Sequence, residues 1–70
     1  MAHIVEIRNG AIVGNDDPAD EYIPIGTHID RPDGHYVSFG MEVEGPYDRD
    51  RAEERLNHLK KATRMDLERP

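Results

Sequence analysis

The chain has 70 residues, 36% of them hydrophobic, and no cysteine. That composition makes one small domain near the lower limit at which a core suffices alone; it excludes a disulfide framework, a thiolate metal site and a second domain, and makes self-association as a homodimer the expected staple. The net charge of −6 is uneven: residues 1–47 carry nine acids against Arg8 and Arg31, while residues 48–70 carry seven Lys or Arg against six acids. The acidic front half would repel phosphate backbones, so any nucleic-acid role falls to the tail.

His3 to Arg8 is a short β-branched run closed by Asn9-Gly10, the strongest two-residue hairpin signal, and followed by Ala11-Ile12-Val13. A first hairpin over residues 1–13 is expected, with Ile7 facing Ile12 and Val5 facing Gly14. The opening ten residues show no basic region followed by a long apolar run, and no segment approaches the roughly 18 consecutive apolar residues of a membrane span. A cytoplasmic protein is therefore expected, and the absence of cysteine fits a reducing compartment.

Residues 14–21 form an acidic connection. Asp17 as N-cap, Pro18 at N1 and Asp20 at N3 suit a single helical turn. Asp16, Asp17, Asp20 and Glu21 do not have the alternating spacing of an EF-hand, so a solvated loop is expected rather than a cation site.

Residues 22–44 read as a second hairpin folded at Arg31-Pro32-Asp33-Gly34, because Pro32 suits the second position of a type I turn and Gly34 the left-handed position after it. This register pairs Ile29 with Val37, Thr27 with Phe39, Ile25 with Met41 and Ile23 with Val43 on one apolar face. The opposite face then holds Tyr22, Pro24, Gly26, His28 and Asp30 against Glu44, Glu42, Gly40, Ser38 and Tyr36. Gly26 opposite Gly40 leaves backbone bare, which reads either as a bend or as a contact site.

Gly45-Pro46 is expected to end the sheet, and a helix follows over residues 48–67. Asp50 with Glu53 forms a capping box, and Ala52, Leu56, Leu59, Thr63 and Leu67 make one apolar stripe for docking on the sheet. Arg51, Arg55, His58 and Arg69 make a second, basic stripe that calls for an acidic neighbour; the 14–21 loop is the expected one.

Two constellations bear on chemistry. His28, Asp30, Asp33 and His35 have metal-ligand character as a string, yet the hairpin register points them to different faces, so no metal site is expected. Ser38 beside His28, with Asp30 two residues along, is the one nucleophile–base–acid candidate, and a flat strand pair offers it no cleft. No glycine-rich phosphate loop, H-E-x-x-H or C-x-x-C occurs, and neither a cofactor nor enzymatic activity is expected.

The stretch Gly45-Pro46-Tyr47-Asp48-Arg49-Asp50-Arg51-Ala52-Glu53-Glu54-Arg55-Leu56 is similar to the strand-to-helix corner of AP2-type DNA-binding domains and related integrase arm-binding domains. The resemblance covers about twelve residues and implies a sheet followed by one packed helix. Those domains read DNA through arginines and aromatics on the exposed sheet face, where this chain carries Asp30, Glu42 and Glu44.

The expected fold is α+β, with two consecutive antiparallel hairpins and one C-terminal helix on one sheet face. The expected function is a non-enzymatic module that binds a partner protein with a basic surface, an inhibitor or adaptor of the kind mobile elements and phages encode. Its footprint would be Tyr22, Gly26, Tyr36, Gly40, Glu42 and Glu44. The alternative is a small nucleic-acid-binding domain that uses Arg51, Arg55, His58 and Arg69.

Overall fold

The computed structural model describes residues 2–39 and 42–68, with side chains as far as Lys61. Strands β1 (His3–Arg8), β2 (Ala11–Asn15), β3 (Gly34–Phe39) and β4 (Glu42–Tyr47) form one antiparallel sheet in the order β2-β1-β3-β4, followed by the helix α1 (Arg49–Glu68). The α+β architecture of two hairpins and one packed C-terminal helix is thus the one expected from the sequence.

The order of the strands follows from which of them are apolar on both sides. Successive residues of a strand face opposite ways, so the adjacent pairs Ile4-Val5 and Tyr36-Val37, all buried, need cover on both faces. Strands of that kind belong in the middle of a sheet. On one face Ile4 and Val37 pack against Ala52, with Leu56 and Leu59 of α1 and Tyr47 closing the cluster. On the other, Val5, Ile7, Ile12 and Tyr36 are covered by Ile23 and Ile29 from the long loop between β2 and β3, with Val43 alongside. The helix stripe expected from the sequence docks as far as Leu59; Thr63 and Leu67 lie outside the described side chains.

The first hairpin turns at Asn9 (φ 52°) and Gly10 (φ 73°), the left-handed pair that a type I′ turn demands. Ile7 faces Ile12 as expected, but the register shifts between Glu6 and Ile7, so that Gly14 faces Glu6 and Asn15 faces Val5. Val13 is the extra residue of this bulge.

The second hairpin is not the one expected. The chain does not fold back at Arg31-Pro32-Asp33-Gly34; the hairpin is β3–β4, over Gly34 to Tyr47. Val37 pairs with Ile4 on one side and Glu44 on the other, so the pairing of Ile29 with Val37 is overturned. Ile25, the expected partner of Met41, is 66% exposed, and Met41 itself lies outside the described residues. The physical reason lies in β1: its second edge needs a neighbour, and β3 can bury Tyr36 and Val37 there, whereas the 22–30 stretch contains Pro24 and Gly26, which weaken a strand. Asp33 serves another end, its carboxylate accepting the Asn9 amide (2.9 Å) and tying the loop's end to the first turn.

Gly45-Pro46 likewise does not end the sheet. Pairing is interrupted there and resumes at His35 with Tyr47, across a cis Gly45–Pro46 bond. The interruption lets two close approaches form: a Cβ on Gly45 would stand 2.8 Å from the Tyr36 ring, and one on Gly34 would stand 2.7 Å from the Pro46 side chain. The helix cap is Asp48, whose carboxylate accepts the Arg51 amide (2.8 Å), rather than Asp50.

Candidate functional site

The loop of residues 16–33 covers one sheet face, and a single carboxylate holds its first half down. Asp20, with a side chain 2% exposed, accepts hydrogen bonds from His3 Nε2 (2.8 Å) and Asn15 Nδ2 (3.0 Å) and from the amides of Tyr22 (2.8 Å) and Ile23 (3.3 Å). Burial alone would raise its pKa; the donors, Asn15 foremost, outweigh that and hold it down to about 2. The expected helical turn at Asp17 is a tight turn instead, with the Asp17 carboxylate accepting the Ala19 amide (3.0 Å) and the Asp17 carbonyl the Asp20 amide (3.1 Å).

The middle of the loop seals one edge of the sheet. Ile12 donates to the Thr27 carbonyl, Gly26 to the Ile12 carbonyl and Ile29 to the Gly10 carbonyl, each at 2.8 Å. These bonds give β2 a neighbour on its outer side, the standard remedy for an open edge. The other edge is β4, and among the described residues nothing beyond β3 hydrogen-bonds to its backbone.

An open groove of about 620 Å³ runs between the loop and this β4 edge. Ile23, Ile29 and Val43 line it, with Tyr22, 63% exposed, and Phe39, 38% exposed, also in its wall. Glu42 and Arg31 also line the groove, and Glu42 has no ion-pair partner among the described residues. Glu44, also in the lining, is clamped by Arg55 through two bonds of 2.7 and 3.1 Å. That bond lowers the Glu44 pKa despite partial burial, and the Tyr47 hydroxyl adds to the effect.

Of the expected footprint, Tyr22, Glu42 and Glu44 do meet at this groove. Tyr36 does not: it is fully buried, its hydroxyl donating to the Pro32 carbonyl (2.7 Å), because the β3 register turns it into the core. Gly26 lies in a turn of the loop, its amide already committed to β2, so it does not face Gly40 across a strand pair. Gly40 itself lies outside the described residues. Sequence reasoning missed Phe39 and Val43 as groove residues because it placed both on the buried face of the wrong hairpin.

The basic stripe of α1 is only partly assembled. Arg51, Arg55 and His58 line a shallow cleft of about 340 Å³ with Tyr47 and Glu54. The acidic neighbour of Arg55 is Glu44, not the 14–21 loop; that loop is met by Arg49, through Asp16 at 3.0 Å. Arg69 lies outside the described residues.

The Ser38, His28 and Asp30 trio is not brought together. Ser38 lies opposite His3 and Val43 in the sheet, while His28 bridges to Ala11 beyond β2. Ser38 is fully buried, and its Oγ has no hydrogen-bond partner among the described residues. Leaving a buried hydroxyl unpaired costs about 1–3 kcal/mol. Ser38→Ala should therefore raise stability by about 1 kcal/mol, read as a higher urea midpoint with an unchanged slope.

The four members of the H-x-D-x-x-D-x-H string also go separate ways, His35 lying 3.8 Å from Glu6 and Asp33 binding the Asn9 amide. No group of three His, Asp or Glu side chains converges as metal ligands would among the described residues. None of their helices is long and apolar enough to cross a membrane. Searches of family models, curated proteins and solved structures return no match to the chain, so the resemblance of its strand-to-helix corner to AP2-type domains stands without support from them.

Proposed function

We propose that the protein is a small, non-enzymatic protein-binding module whose docking surface is the groove between the 22–31 part of the loop and β4. The exposure of Tyr22 and Phe39 in a groove floored by Ile23, Ile29 and Val43 carries this reading. The helix and the loop each cover an apolar cluster of one sheet face, whereas Tyr22 and Phe39 remain exposed together at this groove. Such patches mark interaction sites, and tyrosine is enriched where binding energy concentrates. The surplus of acids over residues 1–47 would steer a basic partner toward it.

A photo-crosslinking residue in place of Phe39, introduced in the cells the chain comes from, tests this. One discrete protein adduct is expected, and Tyr22→Glu in the same chain should reduce it at least tenfold, since Tyr22 is exposed and its loss leaves the core intact. An adduct indifferent to Tyr22→Glu would overturn the reading.

The cleft beside α1 favours a second reading, nucleic-acid binding, because Arg51 has no ion-pair partner among the described residues. Its support is thinner: Arg55 is engaged by Glu44, and Glu53 and Glu54 share the same turn. One free cation would give a log–log salt slope of only about −1. On this reading a probe at Arg51 would crosslink to nucleic acid, and Arg51→Glu would abolish binding.

A further inference from the structure

We infer that the segment docking at this groove is an extended stretch of another protein, with apolar side chains alternating with lysine or arginine, added to the sheet as a strand beside β4. The inference rests on the protein-docking reading above and names its partner chemistry.

The sheet has one edge sealed by three backbone hydrogen bonds from its own loop and one edge without such a cover among the described residues. An edge strand turns unpaired N–H and C=O groups outward at alternate residues, which an added strand can satisfy. Side chains of that strand must alternate as those of β4 do. On the loop side, next to Val43, they enter the groove of Tyr22, Ile23 and Ile29, where apolar groups are favoured. On the helix side they come beside Glu42, which has no ion-pair partner among the described residues, so a cation is favoured there; Glu44 is already paired with Arg55.

A second copy of this chain is the wrong occupant. Its own β4 reads Glu42-Val43-Glu44, and antiparallel self-pairing would set carboxylates against carboxylates on the helix side. The homodimer expected from chain length therefore gains nothing from this edge. Pro46 has no amide hydrogen to offer, so the added strand is short, on the order of four residues alongside residues 42–45.

Fluorescence anisotropy with labelled nine-residue peptides at physiological salt tests the inference. A peptide alternating Lys and Val should bind at least tenfold more tightly than an isomer with the lysines and valines in separate blocks, and than a Glu/Val alternating peptide. Methylating the backbone nitrogens on one edge of the Lys/Val peptide should weaken binding tenfold, and Glu42→Lys in the protein should do the same, while Arg51→Glu should leave it unchanged. Equal binding of the blocked isomer, indifference to N-methylation, or binding of none of the peptides would overturn strand addition. If the Phe39 adduct is still formed and still lost with Tyr22→Glu, protein docking stands and strand addition alone has failed.

Discussion

Replacing Asp20 with alanine is expected to cost about 3 kcal/mol, enough to leave much of the population unfolded at 37 °C. A domain of this size without disulfides holds only ~3–5 kcal/mol in its core. The substitution strands four donors at once, from His3, Asn15 and the Tyr22 and Ile23 amides. An orphaned buried donor costs about 1–3 kcal/mol, and part of that is recovered when the loop lifts into water. Lifting the loop, however, withdraws Ile23 from the core of Val5, Ile7, Ile12 and Tyr36. Urea denaturation read by tyrosine fluorescence gives the number directly.

The same carboxylate sets an acid limit. Its pKa is about 2 in the folded chain against an ordinary 3.8, so it contributes stability that is fully present above pH ~4 and is lost as pH falls toward 2. The contribution is about 2 kcal/mol by linkage. Asp20→Asn should show a correspondingly smaller loss of stability between pH 5 and pH 2 than the parent chain.

Gly45→Ala is expected to cost about 3 kcal/mol through two effects that add. The new methyl would meet the Tyr36 ring at 2.8 Å and the His35 carbonyl at 2.9 Å, and φ at this position is +155°. Neither neighbour can yield, since Tyr36 is fully buried and the carbonyl is main chain. Gly14→Ala is the control: its methyl would lie 3.5 Å from the Glu6 side chain, an ordinary contact, and its effect should stay within about 0.5 kcal/mol. Thermal melts of the two variants side by side separate close packing from a general intolerance of side chains at strand glycines.

Local signals in the sequence were sound where the partner is near in the chain. Asn9-Gly10 turned as its chemistry requires, Ile7 met Ile12, and the Ala52, Leu56, Leu59 stripe found the sheet. The expectation that failed is the fold-back at Arg31-Pro32-Asp33-Gly34. Arg31-Pro32-Asp33-Gly34 has good turn chemistry, and the pairing it implied gathered apolar residues on one face. The adjacency of Ile4 with Val5, and of Tyr36 with Val37, pointed the other way, to two central strands buried on both faces. The Asp20 clasp was beyond reach, because its donor His3 stands 17 residues away and nothing local marks Asp20 as different from Asp16 or Asp17. Tyr22, Glu42 and Glu44 line one groove, although the hairpin expected over residues 22–44 does not form, and Tyr36 is turned into the core by the β3 register rather than toward the surface.

Amide hydrogen exchange of the protein alone and in complex with the partner captured at Phe39 is the most direct test of docking at the open edge. The account predicts at least tenfold slower exchange in residues 42–45 and in the 22–31 part of the loop, with residues 49–60 unchanged. Protection confined to residues 49–60, with the β4 edge exchanging as in the free protein, would contradict it.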